Sequence, residues 1–280
     1  MGKLAVTIVI NTLQGTARPS YWEQEIHVKL KKKTVPGTLR KTTVLGFLAL
    51  ALLTLGISAQ ASNLVVNGSF ETSTSGPGQL GFNTDTLPWS TTGYNFLFAS
   101  GTADTTGSNG QFGNLQLWGP NNGSANGLPA SSPDGGNYVA ADGAFQVGAI
   151  SQTISGLIAN NSYDVSFWWA GAQQSGFTGP TTEQWQVSLG GQTQSTVVLN
   201  NASHGFTGWQ SQTFTYTATS SSELLSFLAV GTPTGVPPFV LLDGVTLNAS
   251  SVPEPGTITL MLGGLLGGIG ALRSKKWFNR

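Results

Sequence analysis

Between Lys41 and Arg273 the chain contains no lysine and no arginine. The same stretch carries ten acids: Glu71, Asp85, Asp104, Asp134, Asp142, Asp164, Glu183, Glu223, Asp243 and Glu254. A fold built from it has no cationic side chain to pair with a buried carboxylate. Each buried acid must be met by hydrogen-bond donors, a metal ion or a proton. The overall balance hides this, because the 12 basic and 12 acidic residues of the 280 cancel only through basic residues near the two ends. A surface without cations gives phosphates nothing to pair with, which excludes nucleic-acid binding. A catalytic lysine or an arginine clamp within the stretch is excluded on the same ground.

The basic ends frame two targeting segments. Lys29, Lys31, Lys32, Lys33, Arg40 and Lys41 precede an apolar run from Val44 to Ile57 that has no polar face, and Ala59-Gln60-Ala61 then supplies small residues. This order reads as a secretory signal peptide over 28–61, cleaved by signal peptidase between Ala61 and Ser62. Residues 1–27 place Glu23 and Glu25 ahead of the basic cluster and do not suit a signal peptide. They are expected to be an untranslated or disordered extension, with initiation at Val28. At the other end residues 256–272 are apolar or small and are followed by Arg273, Lys275, Lys276 and Arg280. At ~1.5 Å per residue the run reaches roughly 25 Å, a short transmembrane helix whose basic tail faces the cytoplasm.

Pro253-Glu254-Pro255, then a Gly/Leu-rich helix, then a short basic tail, resembles the PEP-CTERM sorting signal of exported bacterial proteins. The resemblance spans residues 252–280. It implies an intermediate in the inner membrane, cleavage near the Pro-Glu-Pro motif by an exosortase, and a destination at the cell surface or in an exopolysaccharide (biofilm) matrix. A permanent single-span anchor is the alternative.

Residues 62–251 are the exported domain. No helical period is sustained there. Short alternating runs are punctuated by seven Asx-Gly pairs, at Asn67, Asn109, Asn122, Asn126, Asp134, Asp142 and Asp243. These favour tight turns and predict an all-β, antiparallel β-sandwich of jelly-roll type between the signal helix and the transmembrane helix. Strands are expected near 63–66, 112–118, 137–141, 145–155, 162–170, 184–190, 193–199, 208–218, 223–230 and 238–247. Residues 72–111 and 119–136, rich in Gly, Ser, Thr, Asn and Pro, are expected to be long loops over one end or face. With no Cys, the domain is held by burial and by any bound metal.

Alternation assigns faces. In 162–170 Tyr163, Val165, Phe167 and Trp169 share one side, while Asp164, Ser166 and Trp168 share the other. In 238–247 Asp243 falls in one row with Phe239, Leu241, Val245 and Leu247. A carboxylate in such a row, with no Lys or Arg available, implies a metal ion or a raised pKa. Glu71 lies at the opposite end of the domain sequence, and first and last strands lying side by side would unite the two.

Asn63-Leu64-Val65-Val66-Asn67-Gly68-Ser69-Phe70-Glu71, Gln152-Thr153-Ile154-Ser155-Gly156-Leu157 before Tyr163-Asp164-Val165-Ser166-Phe167-Trp168, and Leu241-Leu242-Asp243-Gly244-Val245-Thr246-Leu247 are similar to the galactose-binding-like jelly rolls, which include carbohydrate-binding modules. The resemblance implies a structural calcium ion held by Glu71, Asp243 and nearby backbone carbonyls, and raises glycan binding as a function. This chain departs from the pattern in loops that lack arginine.

Catalytic groups are few. His204 is the only histidine of the exported domain and reads as a solvent-exposed loop residue, and there is no thiol. The domain is therefore expected not to be an enzyme. Among Trp89, Tyr94, Phe96, Trp118, Trp168 and Trp209, the indoles of Trp118 and Trp168 are the candidates for stacking on a sugar. Three readings stand: a structural or weakly adhesive surface or matrix protein, a carbohydrate-binding module, or an exopolysaccharide-modifying glycosidase using Glu183 with Glu71 or Glu223.

Overall fold

Alternation of large apolar and small polar side chains gives each long strand one face to bury, and two sheets close over those faces. The computed structural model describes residues 62–250. The signal peptide expected at 28–61, with Ala59 and Ala61, and the sorting segment expected at 252–280, with Pro253, Glu254, Pro255 and the helix at 256–272, lie outside the described residues. Among the described residues there is no helix.

The strands are β1 (Gly78–Gln79), β2 (Asn95–Phe98), β3 (Ser108–Gly110), β4 (Gly113–Leu115), β5 (Tyr138–Asp142), β6 (Ile150–Ser155), β7 (Ser162–Gln173), β8 (Thr181–Leu189), β9 (Gln192–Ser195), β10 (Leu199–Asn201), β11 (Gln210–Thr217), β12 (Ser222–Thr232) and β13 (Pro238–Ala249). One sheet runs β1-β2-β5-β13-β7-β11 and the other β10-β8-β12-β6, with β9 added to β8 and β3-β4 a separate hairpin. Every paired strand is antiparallel, which makes the domain a β-sandwich of jelly-roll type.

Between the sheets lies an apolar core. Val165, Phe167 and Trp169 of β7 and Val240 and Leu242 of β13 meet Trp185, Val187 and Leu189 of β8 and Phe227 of β12. Trp185 stands edge-on to Phe227 at 5.9 Å, and its Nε1–H donates to the Leu241 carbonyl at 3.0 Å. Burying side chains of this size contributes about 1.5–3 kcal/mol each. A second apolar layer covers the other face of the six-stranded sheet. There Tyr94, Phe96, Phe98, Tyr138, Ala140, Ala170, Ala172, Phe239 and Leu241 are roofed by Ala103, Leu115, Leu117 and Leu128.

The loops expected over one face are present, but 72–111 also contains β1, β2 and β3. Phe96-Leu97-Phe98 is a continuous apolar run inside a Gly/Ser/Thr-rich background, buried on both faces because both layers need it. Residues 63–66 form no strand. Leu64 N–H still donates to the Leu247 carbonyl (2.9 Å), while Leu247 N–H is taken by Asn63 Oδ1 (2.9 Å), a side chain replacing the next ladder bond. The segment expected at 193–199 divides into β9 and β10.

The single row expected in β13 is also corrected. A β-bulge shifts the register between Asp243 and Thr246, where Gly244 has φ +58°. Phe239, Leu241 and Asp243 therefore face the loop-covered layer, whereas Val245 and Leu247 join Val240 and Leu242 in the inter-sheet core.

Candidate functional site

The N-terminal segment runs beside β13, with Val245 N–H donating to the Gly68 carbonyl at 2.9 Å, and so delivers Glu71 to the neighbourhood of Asp243. Asn137 holds this turn from the other side: its side-chain amide donates to the Phe70 carbonyl (3.1 Å) and its backbone N–H to Glu71 Oε1 (2.7 Å). A Cβ built on Gly136 would overlap the Glu71 carboxylate, so the chain passes there as glycine at φ +58°. Asp243 is 0% exposed. Ser132 Oγ–H donates to its Oδ2, and Gly244 N–H to its Oδ1 at 2.8 Å.

Burial pushes the Asp243 carboxyl up to about 8 from its ordinary 3.8. The hydrogen bonds from Ser132 and Gly244 oppose this, and the negative charges of Asp134 and Glu71 add to it. Two acids from opposite ends of the domain, and a third from the long loop, thus share one electrostatic setting with no cationic side chain. Asp134 was not singled out in the sequence, although its turn, Asp134-Gly135-Gly136, was. The side-chain ligand atoms there are oxygens: the carboxylates of Asp243, Glu71 and Asp134 and the Ser132 hydroxyl. That set suits a hard cation such as Ca²⁺ and supplies no soft ligand. Among the described residues no three His, Cys, Asp or Glu side chains converge as a ready-made cage. A cation would therefore depend on hydroxyl and carbonyl oxygens as well as on Asp243 and Glu71.

Trp168 pairs across β7 and β13 with Asp243 and is half-buried. Its Cδ1 lies 3.0 Å from where a Cβ on Gly244 would stand, and Asp134 Cγ lies 3.1 Å from the same point, so the indole walls the acidic cluster. Trp118 is tied down elsewhere. Its Nε1–H donates to the Phe177 carbonyl at 2.9 Å, and the His204 ring lies 4.1 Å away at an angle of 31°. One face of Trp118 is thereby covered.

His204 is not the exposed loop residue expected. It is half-buried at φ +61°, its N–H donates to Gln173 Oε1 (2.6 Å), and its carbonyl accepts from Ser124 and Asn126. It ties the loop 202–207 to the long loop. The amides beside it are spent on that task.

The carboxylates weighed for glycoside hydrolysis sit in three different settings. Glu71 accepts from Asn137 N–H. Glu183 is 0% exposed in the inter-sheet row of β8, where burial raises it to about 7 against hydrogen bonds from Thr181 and Asn201. Its Oε2 has no partner and would lie 2.6 Å from a Cβ on Gly171. For Glu223 burial acts upward, but donors from Thr219 and Ser220 outweigh it and hold the carboxyl below its ordinary value.

Sequence reasoning missed exposed phenylalanines at turn tips. Phe112 and Phe145 are 64% and 43% exposed, at the tip of the β3-β4 hairpin and in the turn after β5. Their signal was position: Phe112 is flanked by Asn109-Gly110 and Gly113, and Phe145 follows Asp142-Gly143.

Residues 251–276 match the model of the PEP-CTERM protein-sorting motif. The chain is 29% identical over 203 residues to Halomucin of Haloquadratum walsbyi, a match covering 70% of this chain but only 2% of that protein. Among solved structures it is similar to TmCBM61 in complex with β-1,4-galactotriose (19% identity, 68% of this chain and 100% of that one, TM-score 0.37). It is also similar to the CBM22-1 xylan-binding domain from Paenibacillus barcinonensis (13% identity, 69% and 97% covered, TM-score 0.35).

Proposed function

We propose that the chain is a surface or matrix protein whose β-sandwich serves as a structural, weakly adhesive body outside the cell, and that it is not an enzyme. The sorting motif at 251–276 makes it an exported protein sorted to the cell surface. The observation supporting a structural body is the loop-covered face of the six-stranded sheet, where the chain's own Leu115, Leu117 and Leu128 occupy the surface that a broad cleft would need. On this reading signal peptidase releases the N-terminus at Ser62. The C-terminal helix then holds an inner-membrane intermediate, its tail in the cytoplasm, until an exosortase acts near Pro253-Glu254-Pro255.

A calcium ion held by Glu71 and Asp243 belongs to the same reading. It would supply the positive charge that the sequence withholds, letting Asp243 ionise in place. Ser132 and Gly244 orient that carboxylate, and Asn137 with Gly136 fixes Glu71.

Fractionation of cells expressing Glu254→Ala, or a chain ending before Arg273, tests the sorting part. Both variants should cross the inner membrane and lose their signal peptide, yet fail to reach the surface or medium. If they reach it like the parent, the sorting role fails and a plain anchor replaces it.

A further inference from the structure

The six-stranded sheet ends on β11, and the outer rim of that edge strand is already taken by glutamine side chains. β9 leaves β8 through Gly190-Gly191, both at positive φ (+56° and +85°), the backbone of a two-residue hairpin turn. Gln192 and Gln194 of β9 stand two residues apart and so point the same way. Their amides reach across the edge of the sandwich: Gln192 Nε2–H donates to the Thr217 carbonyl (2.6 Å) and Gln194 Nε2–H to the Thr215 carbonyl (2.8 Å). Gln192 Oε1 also lies 3.5 Å from the Thr217 nitrogen. The next carbonyl on that rim, Thr213, accepts from Gln212 Nε2–H at 3.0 Å. Beneath them the Tyr216 hydroxyl donates to the Val187 carbonyl (2.7 Å) and holds β11 against β8.

Alternate residues of a strand direct their N–H and C=O to opposite sides, so the carbonyls of Thr213, Thr215 and Thr217 are those that face away from β7. All three have partners without any further strand. An uncapped edge of this kind is a template on which another chain can pair. β11 would be a strong one: Gln210-Ser211-Gln212-Thr213-Phe214-Thr215-Tyr216-Thr217 has no charge, no proline and no glycine, and half of it is Thr or aromatic. Lysine commonly guards such edges, and none stands between Lys41 and Arg273. Amides do so instead. The same device serves β6, where Gln152 Oε1 accepts from Val66 N–H (2.9 Å) and Gln152 Nε2–H donates to the Val66 carbonyl (2.8 Å), one side chain making both bonds of a strand partner.

We infer that Gln192 and Gln194 keep the β11 edge closed to a second copy of this chain. A second copy is the partner to exclude, since an uncharged strand laid antiparallel beside itself satisfies both rims across one two-fold axis. The glutamine bonds and such an intermolecular ladder use the same carbonyls, so each excludes the other. A protein concentrated at a surface or in a matrix meets its own copies constantly, and the cap leaves the domain a monomer there. The setting, though not the contact, rests on the proposed function.

The test is sedimentation velocity of the purified exported protein over about a hundredfold range of concentration, in chelator so that no cation bridges acidic surfaces. The parent should stay monomeric. Gln192→Ala/Gln194→Ala should self-associate at least tenfold more tightly. Adding Thr215→Pro, which removes an outward N–H and no bond to β7 at the cost of the Thr215 hydroxyl's bond to Asp164, should return that variant to a monomer. Circular dichroism checks that each variant keeps its β-sheet, and the single variants, each opening one carbonyl, carry the same comparison if the double variant does not fold. A folded double variant that stays monomeric over the whole range overturns the inference. So does association that Thr215→Pro leaves unchanged, which puts the contact elsewhere, or a parent that associates as tightly as the double variant. None of these outcomes bears on surface delivery, which Glu254→Ala tests separately.

Discussion

The two apolar layers of the domain follow different rules. Between the sheets the core is made by strand alternation, and one row after another reads large and apolar: Tyr163, Val165, Phe167 and Trp169, or Trp185, Val187 and Leu189. The layer over the six-stranded sheet is assembled from loop residues far apart in sequence, and it encloses polar groups. Asp104, Asp142, Asp243 and Ser132 are buried there, and Tyr138 OH and Trp209 Nε1 have no hydrogen-bond partner. The inter-sheet core is thus almost wholly apolar, while the loop-built layer encloses the carboxylate cluster of Asp243, Glu71 and Asp134. The exceptions are Glu183 and Glu223, buried acids in the inward rows of β8 and β12.

The largest test of this division is Trp185→Ala. It removes a wholly buried side chain and its hydrogen bond from the inter-sheet core, and should cost about 3–5 kcal/mol in denaturant unfolding. A cost under about 1 kcal/mol would mean that this core is not the main support.

Next in size is Glu183. Its folded pKa, about 7, lies above its ordinary 4.5, so its contribution to stability is complete below pH ~4.5 and is lost as pH rises through ~7. Asp142, raised by burial to about 6, acts in the same sense. In chelator the domain should therefore be less stable at pH 8 than at pH 5. Glu183→Gln should remove on the order of 3 kcal/mol of that difference, one pKa unit being worth about 1.4 kcal/mol. Equal unfolding profiles of parent and variant across this range would contradict it.

Gly136→Ala should be smaller, about 1–2 kcal/mol for the left-handed backbone alone. Its added effect distinguishes the layers. The new Cβ displaces the Glu71 carboxylate, so any stabilisation by calcium should fall as well. At the lower limit Phe112→Ala should alter stability by no more than about 0.5 kcal/mol, because its ring is mostly in solvent.

The sequence made the first layer far more legible than the second. Alternation in 162–170 and 184–190 is a local property, so the faces of β7 and β8 could be assigned directly. The bulge at Gly244 could not, since Asp-Gly marks a turn and a bulge alike, and its register shift exchanged the faces of Val245 and Leu247. Asp243 and Glu71 stood out because an acid in an apolar row without any cation needs a partner. Ser132 and Asp134 did not, because their place beside Asp243 follows from the path of a long loop, which no local pattern encodes. Trp118 looked available by residue type, but its stacking with His204 depends on two loops meeting. Phe112 and Phe145 were passed over in favour of indoles, although turn tips are where an aromatic side chain is hardest to bury.

The central proposal is that Asp243 and Glu71 hold a calcium ion, and thermal unfolding of the purified exported protein in chelator and in millimolar calcium tests it most directly. At a hundredfold excess over Kd, calcium should add about 2.7 kcal/mol and raise the melting temperature by several degrees. Asp243→Asn, which keeps the shape and removes the charge, should abolish that increment and leave a β-rich fold. Identical melting of the parent in chelator and in calcium would contradict the claim, leaving Asp243 as a protonated acid held by Ser132 and Gly244.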